Sequence, residues 1–351
     1  MTWNDFYKSV KAGQYQNVYL FTGPEEHNKR EALAALRRAV LPAGLEALND
    51  VTLEGVGAQE IIDCAETLPV MCERRIVVVR DWPPLMASKS RKAKNPEAAE
   101  EKTDGDTVRM LEWLKDPPES CILVFYMMAE LDGRKKLAAA LKKLDGYVEF
   151  DYLSGATLAK WCAQQLKPMG KRISADAVNE MTLMAGQDLT RLLGELQKLA
   201  AYVGDAPEID VPAVRAVVTP SPEYSVFMIL DHLLAGRLAE AAQVVNSVLM
   251  NEPSAVRIIS LIGNQLRIDA HMKCALEESG NTAEVERALG IKSGRAWHIK
   301  KQIGPVRANL LKELYLACVD TEYAIKSGRV QERAALNALL LKIYQAKNAT
   351  K

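Results

Sequence analysis

Apolar residues in the first 150 positions fall into short unbroken runs. Val18-Tyr19-Leu20-Phe21, Ile76-Val77-Val78-Val79 and Cys121-Ile122-Leu123-Val124-Phe125-Tyr126 are apolar on both faces, as strands buried inside a parallel sheet must be. Residues 49–53 and 147–150 read as two shorter strands. Between them lie stretches with helical spacing, at 32–40, 59–68, 107–114 and 135–144, the second carrying Ile61, Ile62, Ala65 and Leu68 on one face. Strands alternating with helices predict a parallel α/β domain of five strands, complete by about residue 153.

Beyond that point the pattern turns helical. Residues 156–166 form a helix, and Ser174 caps another that carries Val178, Met181, Met184 and Ala185 and ends at Gly186. Residues 187–203 follow with Leu189, Leu192, Leu193, Leu196 and Leu199 at helical spacing, and Asp210 caps a short helix with Pro212 in its first turn. Residues 218–222 read as a proline-bounded linker, which closes a small all-helical domain over 154–222. From 223 to 351 helices are predicted at 227–234, 238–250, 256–276, 283–289, 294–302, 306–325 and 331–346. They carry more apolar positions than one helix pair buries, so this part is an independent bundle suited to assembly with other chains. Residues 87–105 are charged without apolar periodicity and read as a solvated excursion between sheet elements.

A chain of 351 residues with 48% apolar composition has room for two or three cores. The 45 basic and 45 acidic residues balance to zero, which argues against a protein that coats polyanions generally. No apolar run approaches the roughly 20 residues a membrane helix needs, and residues 1–5 lack a basic stretch followed by an apolar one, so a cytoplasmic location is expected. Six cysteines and four histidines are scattered with no Cys-x-x-Cys pair and no His-Glu-x-x-His spacing. No local motif therefore supports a metal centre, a disulfide framework or a cofactor site.

One stretch has the setting of a phosphate-binding loop: an apolar strand ends in Thr22-Gly23, and a short polar turn leads to a helix start. A competent loop reads Gly, four residues, Gly, Lys, Ser or Thr. Here Gly23 is followed after four residues by Asn28, Lys29 and Arg30. Asn28 brings a Cβ where the second glycine belongs, Arg30 puts a cation in place of the Mg²⁺-binding hydroxyl, and Glu25 and Glu26 bring negative charge where phosphate would sit. The third strand ends in Arg80-Asp81-Trp82, a lone acid where a hydrolase needs an acidic pair. The pattern predicts a nucleotide-binding architecture without hydrolysis. On this segment alone, an ordinary strand-loop-helix that never bound nucleotide accounts for the residues better.

The chain as a whole resembles the delta subunit of the bacterial DNA polymerase III clamp loader. The resemblance rests on Val18-Tyr-Leu-Phe-Thr-Gly-Pro-Glu-Glu26, Ala65-Glu-Thr-Leu-Pro-Val-Met-Cys-Glu-Arg-Arg-Ile-Val-Val-Val79, Phe150-Asp-Tyr-Leu153 and Gly186-Gln-Asp-Leu-Thr-Arg-Leu-Leu-Gly-Glu-Leu-Gln-Lys-Leu199. It implies an AAA+-like α/β core over 1–153, a helical lid over 154–222, and a helical collar over 223–351 that joins subunits in a ring. It also implies a chain that does not hydrolyse ATP itself but belongs to a DNA-directed DNA polymerase (nucleotidyltransferase) holoenzyme in the cytoplasmic, nucleoid-associated replisome. The partners implied are the sliding clamp (beta subunit), the ATPase subunits (tau/gamma and delta prime) and primed DNA, and the implied task is to hold one clamp interface open.

By the same similarity Leu68, Pro69, Val70 and Met71 match the clamp-binding element, a larger aromatic often taking the place of Met71. The residues allow this independently. Pro69 should end the preceding helix and leave Val70 and Met71 on the following turn as an apolar plug. Packing of the same pair beneath the sheet is the alternative. Arg191 falls near the nucleotide-sensing arginine of AAA+ proteins and reads here as an ion-pair or interface residue. The basic series Arg287, Lys292, Arg295, Lys300, Lys301, Arg307 and Lys312 around Trp297 has the composition of a phosphate-contacting face, but interspersed Glu284, Glu286 and Glu313 favour a solvated one. Two other classes remain: an ATPase with an atypical loop, and a helical adaptor unrelated to replication.

Overall fold

The computed structural model describes residues 1–87, 96–251, 254–291 and 293–348. The chain divides into two compact units, Met1–Leu158 with Gln187–Leu193, and Ala159–Gly186 with Gly194–Lys351.

In the first unit the elements run α1 (Trp3–Lys11), β1 (Val18–Thr22), α2 (Glu26–Val40), α3 (Glu46–Asn49), β2 (Asp50–Glu54), α4 (Ala58–Glu66), β3 (Arg75–Arg80), α5 (Pro96–Trp113), β4 (Cys121–Tyr126), α6 (Lys136–Leu141) and β5 (Tyr147–Glu149). The five strands are parallel in the order β2-β3-β4-β1-β5, an AAA+-like sheet. Because side chains alternate across a strand, each apolar run serves two cores. Val18, Leu20, Val77, Val79, Leu123 and Phe125 pack against Ile61 and Ala65 of α4, Met110 of α5 and Leu137 of α6. Tyr19, Phe21, Ile76, Val78, Ile122 and Val124 face α1 and α2, where Phe6 meets Tyr19 and Phe21 edge-to-face at 5.5 and 5.3 Å.

The two-sided strands stand where their apolar runs predict them. Helix α1, capped by the Thr2 side chain and burying Phe6 and Val10, is not among the elements read from periodicity. Helix α5 begins at Pro96, so the expectation of an excursion over 87–105 is corrected for its second half. Residues 88–95, with most of the basic run, lie outside the described residues.

The second unit contains most of α7 (Gly155–Leu166), then β6 (Arg172–Ile173), α8 (Ala175–Ala185), the larger part of α9 (Leu189–Tyr202), β7 (Glu208–Ile209), α10 (Val211–Val217), α11 (Pro222–Leu234), α12 (Leu238–Asn251), α13 (Ala255–Glu278), α14 (Ala283–Ala288), α15 (Ser293–Ile303), α16 (Ala308–Lys326) and α17 (Glu332–Asn348). Ser174 and Asp210 cap α8 and α10 as expected, accepting from the N–H groups of Ala177 and Ala213. Two expectations are corrected. The region is not wholly helical, since β6 and β7 pair in parallel, and strands of two residues are too short to show alternation. Pro222 does not end a linker but opens α11, with Ser221 as its cap.

Helix α13 is the axis of the C-terminal bundle. Ile258, Ile262, Leu266 and Met272 are buried in one core with Leu230 of α11, Ile299 of α15, Leu311 and Cys318 of α16, and Leu336 and Ile343 of α17. A Cβ on Gly263 would stand 3.2 Å from the Cβ of Cys318, so α13 and α16 approach each other tightly there. Among the described residues no helix is long and apolar enough to cross a membrane.

Candidate functional site

The span between α4 and β3 gathers apolar residues on the outside of the molecule. Helix α4 ends at Glu66, two residues short of the reach expected for it; the residue before a proline disfavours helical backbone, and here that residue is Leu68. Thr67 closes the helix, its N–H and hydroxyl both donating to the Asp63 carbonyl at 3.2 and 2.7 Å. Leu68 is then 75% exposed, Val70 43% and Met71 84%, with Pro69 half-buried among them. The alternative of a pair packed beneath the sheet is thereby set aside.

This span is held from below rather than left loose. The Asn49 side chain, fully buried at the end of α3, accepts from the Val70 N–H at 2.7 Å and donates to the Val70 carbonyl at 3.0 Å and to the Leu45 carbonyl at 3.1 Å. The buried Arg75 guanidinium on β3 donates to the Thr67 carbonyl at 3.1 Å. Met71 takes a left-handed backbone with φ +55°, which costs a residue with a side chain roughly 1–2 kcal/mol. Leu48, the neighbour of Asn49, is exposed as well. Neither Asn49 nor Arg75 stands out in sequence, because each acts through a contact that only the fold creates.

The loop at Gly23 is built the other way, closed on itself. Gly23 has φ +104°, and a Cβ there would lie 2.4 Å from the Phe150 carbonyl oxygen. Glu25 is buried at the start of α2 and its carboxylate accepts from the His27 N–H at 3.0 Å, where a phosphate oxygen would otherwise be received. Burial pushes the Glu25 carboxyl up to about 7; the His27 N–H opposes the shift, Asp188 adds to it, and the N–H groups of Leu189 and Asn28 oppose it again.

Lys29 is buried too. Its Nζ donates to the Met127 carbonyl at 2.6 Å, pairs with Glu26 at 3.1 Å and lies 5.4 Å from the centre of the Tyr126 ring. Burial raises the Glu26 carboxyl, but hydrogen bonds from Tyr126 and Lys29 outweigh it, and the net shift is downward. Arg30 reaches back to Glu26 at 3.3 Å, and Asn28 is buried. Asp81 is occupied as well: it accepts from the N–H groups of Met128 and Ala129 at 2.7 and 2.8 Å. Gly23, Asn28, Lys29 and Arg30 thus lie together, with the Lys29 ammonium and the Arg30 guanidinium committed to partners in the chain. Among the described residues no cluster of three or more His, Cys, Asp or Glu is arranged to hold a metal ion.

The remaining candidates are dispersed. Arg191 is half-buried and its N–H is held by Asp188 at 2.7 Å. In the basic series Lys300 pairs with Glu286 at 2.8 Å, Arg295 donates to Gln265 at 2.7 Å, and Lys301 lies 5.4 Å from the centre of the exposed Trp297 ring. Arg307 lines a pocket with Glu277 and Glu313, and Lys292 lies outside the described residues. These cations are interleaved with acids rather than gathered into an unopposed patch.

Comparison with known proteins agrees along the length of the chain. The family model for the DNA polymerase III delta subunit matches residues 19–151, and the model for the C-terminal domain of that delta subunit matches residues 223–343. The chain is 25% identical over 347 residues to DNA polymerase III subunit delta of Bacillus subtilis (strain 168), covering 97% of this chain and 96% of the relative. The solved structure of the DNA clamp loader delta protein of Bacillus subtilis covers 98% of this chain and 99% of its own at 23% identity and a TM-score of 0.64, which shows a shared fold. With two separate delta-subunit models matched at the sheet unit and at the C-terminal bundle, and a relative aligned from end to end, the chain belongs to the DNA polymerase III delta-subunit family.

Proposed function

We propose that this chain is the clamp-loader component that grips the sliding clamp and holds one interface of the ring open while ATPase partner subunits (tau/gamma and delta prime) bring it to primed DNA. In this reading Leu68, Pro69, Val70 and Met71 enter an apolar pocket of the clamp (beta subunit). The α/β core over 1–153 carries them, 154–222 serves as a lid, and 223–351 is a collar that assembles with the partners. The chain contributes no ATP hydrolysis of its own to the polymerase holoenzyme and works in the cytoplasm.

One observation carries the reading: three large apolar side chains stand outward within four residues on a backbone pinned by buried polar groups. Single exposed apolar residues are ordinary, but a held cluster of them is the form of a binding hot spot. The filled Gly23 loop supports the second half of the reading, since an acid, a buried lysine and a capped helix start already occupy the groups a triphosphate would need.

Titration of the purified chain with the sliding clamp tests the proposal. Replacing Val70 and Met71 together by Ser is expected to weaken binding at least about tenfold, roughly 1.4 kcal/mol, with an unchanged melting temperature. Unchanged affinity would move the binding surface elsewhere, and saturable ATP binding by the isolated chain would favour the ATPase reading.

A further inference from the structure

We propose that Asn49 is the positioning residue of the apolar loop: from beneath, without touching the partner, it holds Val70 and Met71 in the conformation that binds. The inference rests on the clamp-binding role proposed above and adds to it a residue 21 positions away in the chain.

A carboxamide with no exposure costs about 1–3 kcal/mol for each polar group left unpaired, so its partners show what it is there for. Two of the three hydrogen bonds of Asn49 go to a single residue, one to the N–H and one to the carbonyl of Val70, in the manner of a neighbouring strand. The third, to the Leu45 carbonyl, anchors the same side chain to the start of α3. With both backbone groups of Val70 taken, its peptide planes are set, and Met71 is turned into left-handed backbone next to it. Arg75 fixes the other end of the span at Thr67.

Nothing in this arrangement buries the apolar side chains; it keeps them out. Released from Asn49, Val70 and Met71 would sample many conformations, including ones that fold back on the sheet edge. Ordering each such side chain on binding costs roughly 0.5–1.5 kcal/mol, and pre-setting the backbone removes part of that cost.

The test combines amide exchange with clamp titration on the full chain. Asn49→Ala is expected to speed exchange at the Val70 N–H at least ~10-fold and to weaken clamp binding ~5–10-fold, mainly through faster dissociation. Asn49→Ser, whose hydroxyl can keep one of the two bonds to Val70 without adding a buried charge, is expected to fall between and serves if the alanine variant does not fold. Added to the Val70→Ser/Met71→Ser background, either change should cost no further affinity, because the side chains it positions are gone. Fully additive losses in that background, or unchanged exchange at Val70 in both variants, would overturn the proposal. If Val70→Ser/Met71→Ser leaves clamp affinity intact while Asn49→Ala still frees the Val70 amide, the pin stands and the clamp-binding reading is what fails.

Discussion

The two loops that carry the candidate chemistry are opposites in where they direct their side chains. Around Gly23 three of the groups expected to meet a ligand are taken up by the fold: Glu25 caps its own helix, Lys29 bonds a carbonyl of the chain, and Asp81 holds the turn after β4. Around Val70 the backbone is pinned by buried groups, while Leu68 and Met71 stand largely exposed and Val70 is covered only in part. The difference teaches that an inherited motif and a working surface are told apart by what the fold leaves over. A motif whose lysine and acids are bonded to the chain itself acts as structure, and a held segment with exposed apolar side chains has the form of a contact surface.

Substitutions sharpen the contrast, because the closed loop should respond in stability and the open one in binding. The largest effect is expected at Gly23→Ala, where a methyl would collide with the Phe150 carbonyl in a backbone conformation alanine resists; a loss of about 3 kcal/mol should appear in urea unfolding. Lys29→Ala leaves the Met127 carbonyl unpaired beside a cavity, and about 2–3 kcal/mol of unfolding free energy should go with it. A neutral response at Lys29 would mean that the lysine is still free to serve a ligand.

Glu25→Gln comes next and carries a pH signature. The Glu25 carboxyl is raised from 4.5 to about 7, so the unfolded chain ionises first and the folded chain loses stability as pH rises through that window. The glutamine variant should match the parent near pH 4.5 and exceed it by about 1–2 kcal/mol at pH 8, measured as the difference between the two pH–stability curves. Smallest is Met71→Gly, which relieves the left-handed backbone and should raise stability by up to about 1 kcal/mol while weakening clamp binding. If stability and affinity moved in the same direction at this residue, the loop would be part of the core after all.

Much of the sheet was legible because each central strand is a run apolar on both faces, and both loops were placed between the right elements by their flanking patterns. The departures from a phosphate loop after Gly23 were legible as well, in the cation at Arg30 and the acids at Glu25 and Glu26. What escaped was long-range. The Asn49–Val70 pair joins residues 21 apart, and the burial of Lys29 depends on a carbonyl 98 positions away, neither of which leaves a local pattern. Helix α5 escaped for another reason: the residues from Pro96 to Thr107 are mostly polar, with apolar spacing only in the last turns. Helix α1 escaped despite two signals, Thr2 as its cap and Phe6 and Val10 four apart.

The inward-turned lysine also decides whether the Gly23 loop could be turned into a phosphate site. Restoring a glycine at position 28 and a hydroxyl at position 30 would still leave the Glu25 carboxylate in the cradle and the Lys29 ammonium committed to the Met127 carbonyl. A working site would need several changes at once, and freeing Lys29 from the Met127 carbonyl is the one that takes a buried hydrogen bond from the fold. A phosphate site cannot be engineered here by repairing the motif letters alone, because the lysine that would have to reach the ligand is already spoken for inside the sheet unit.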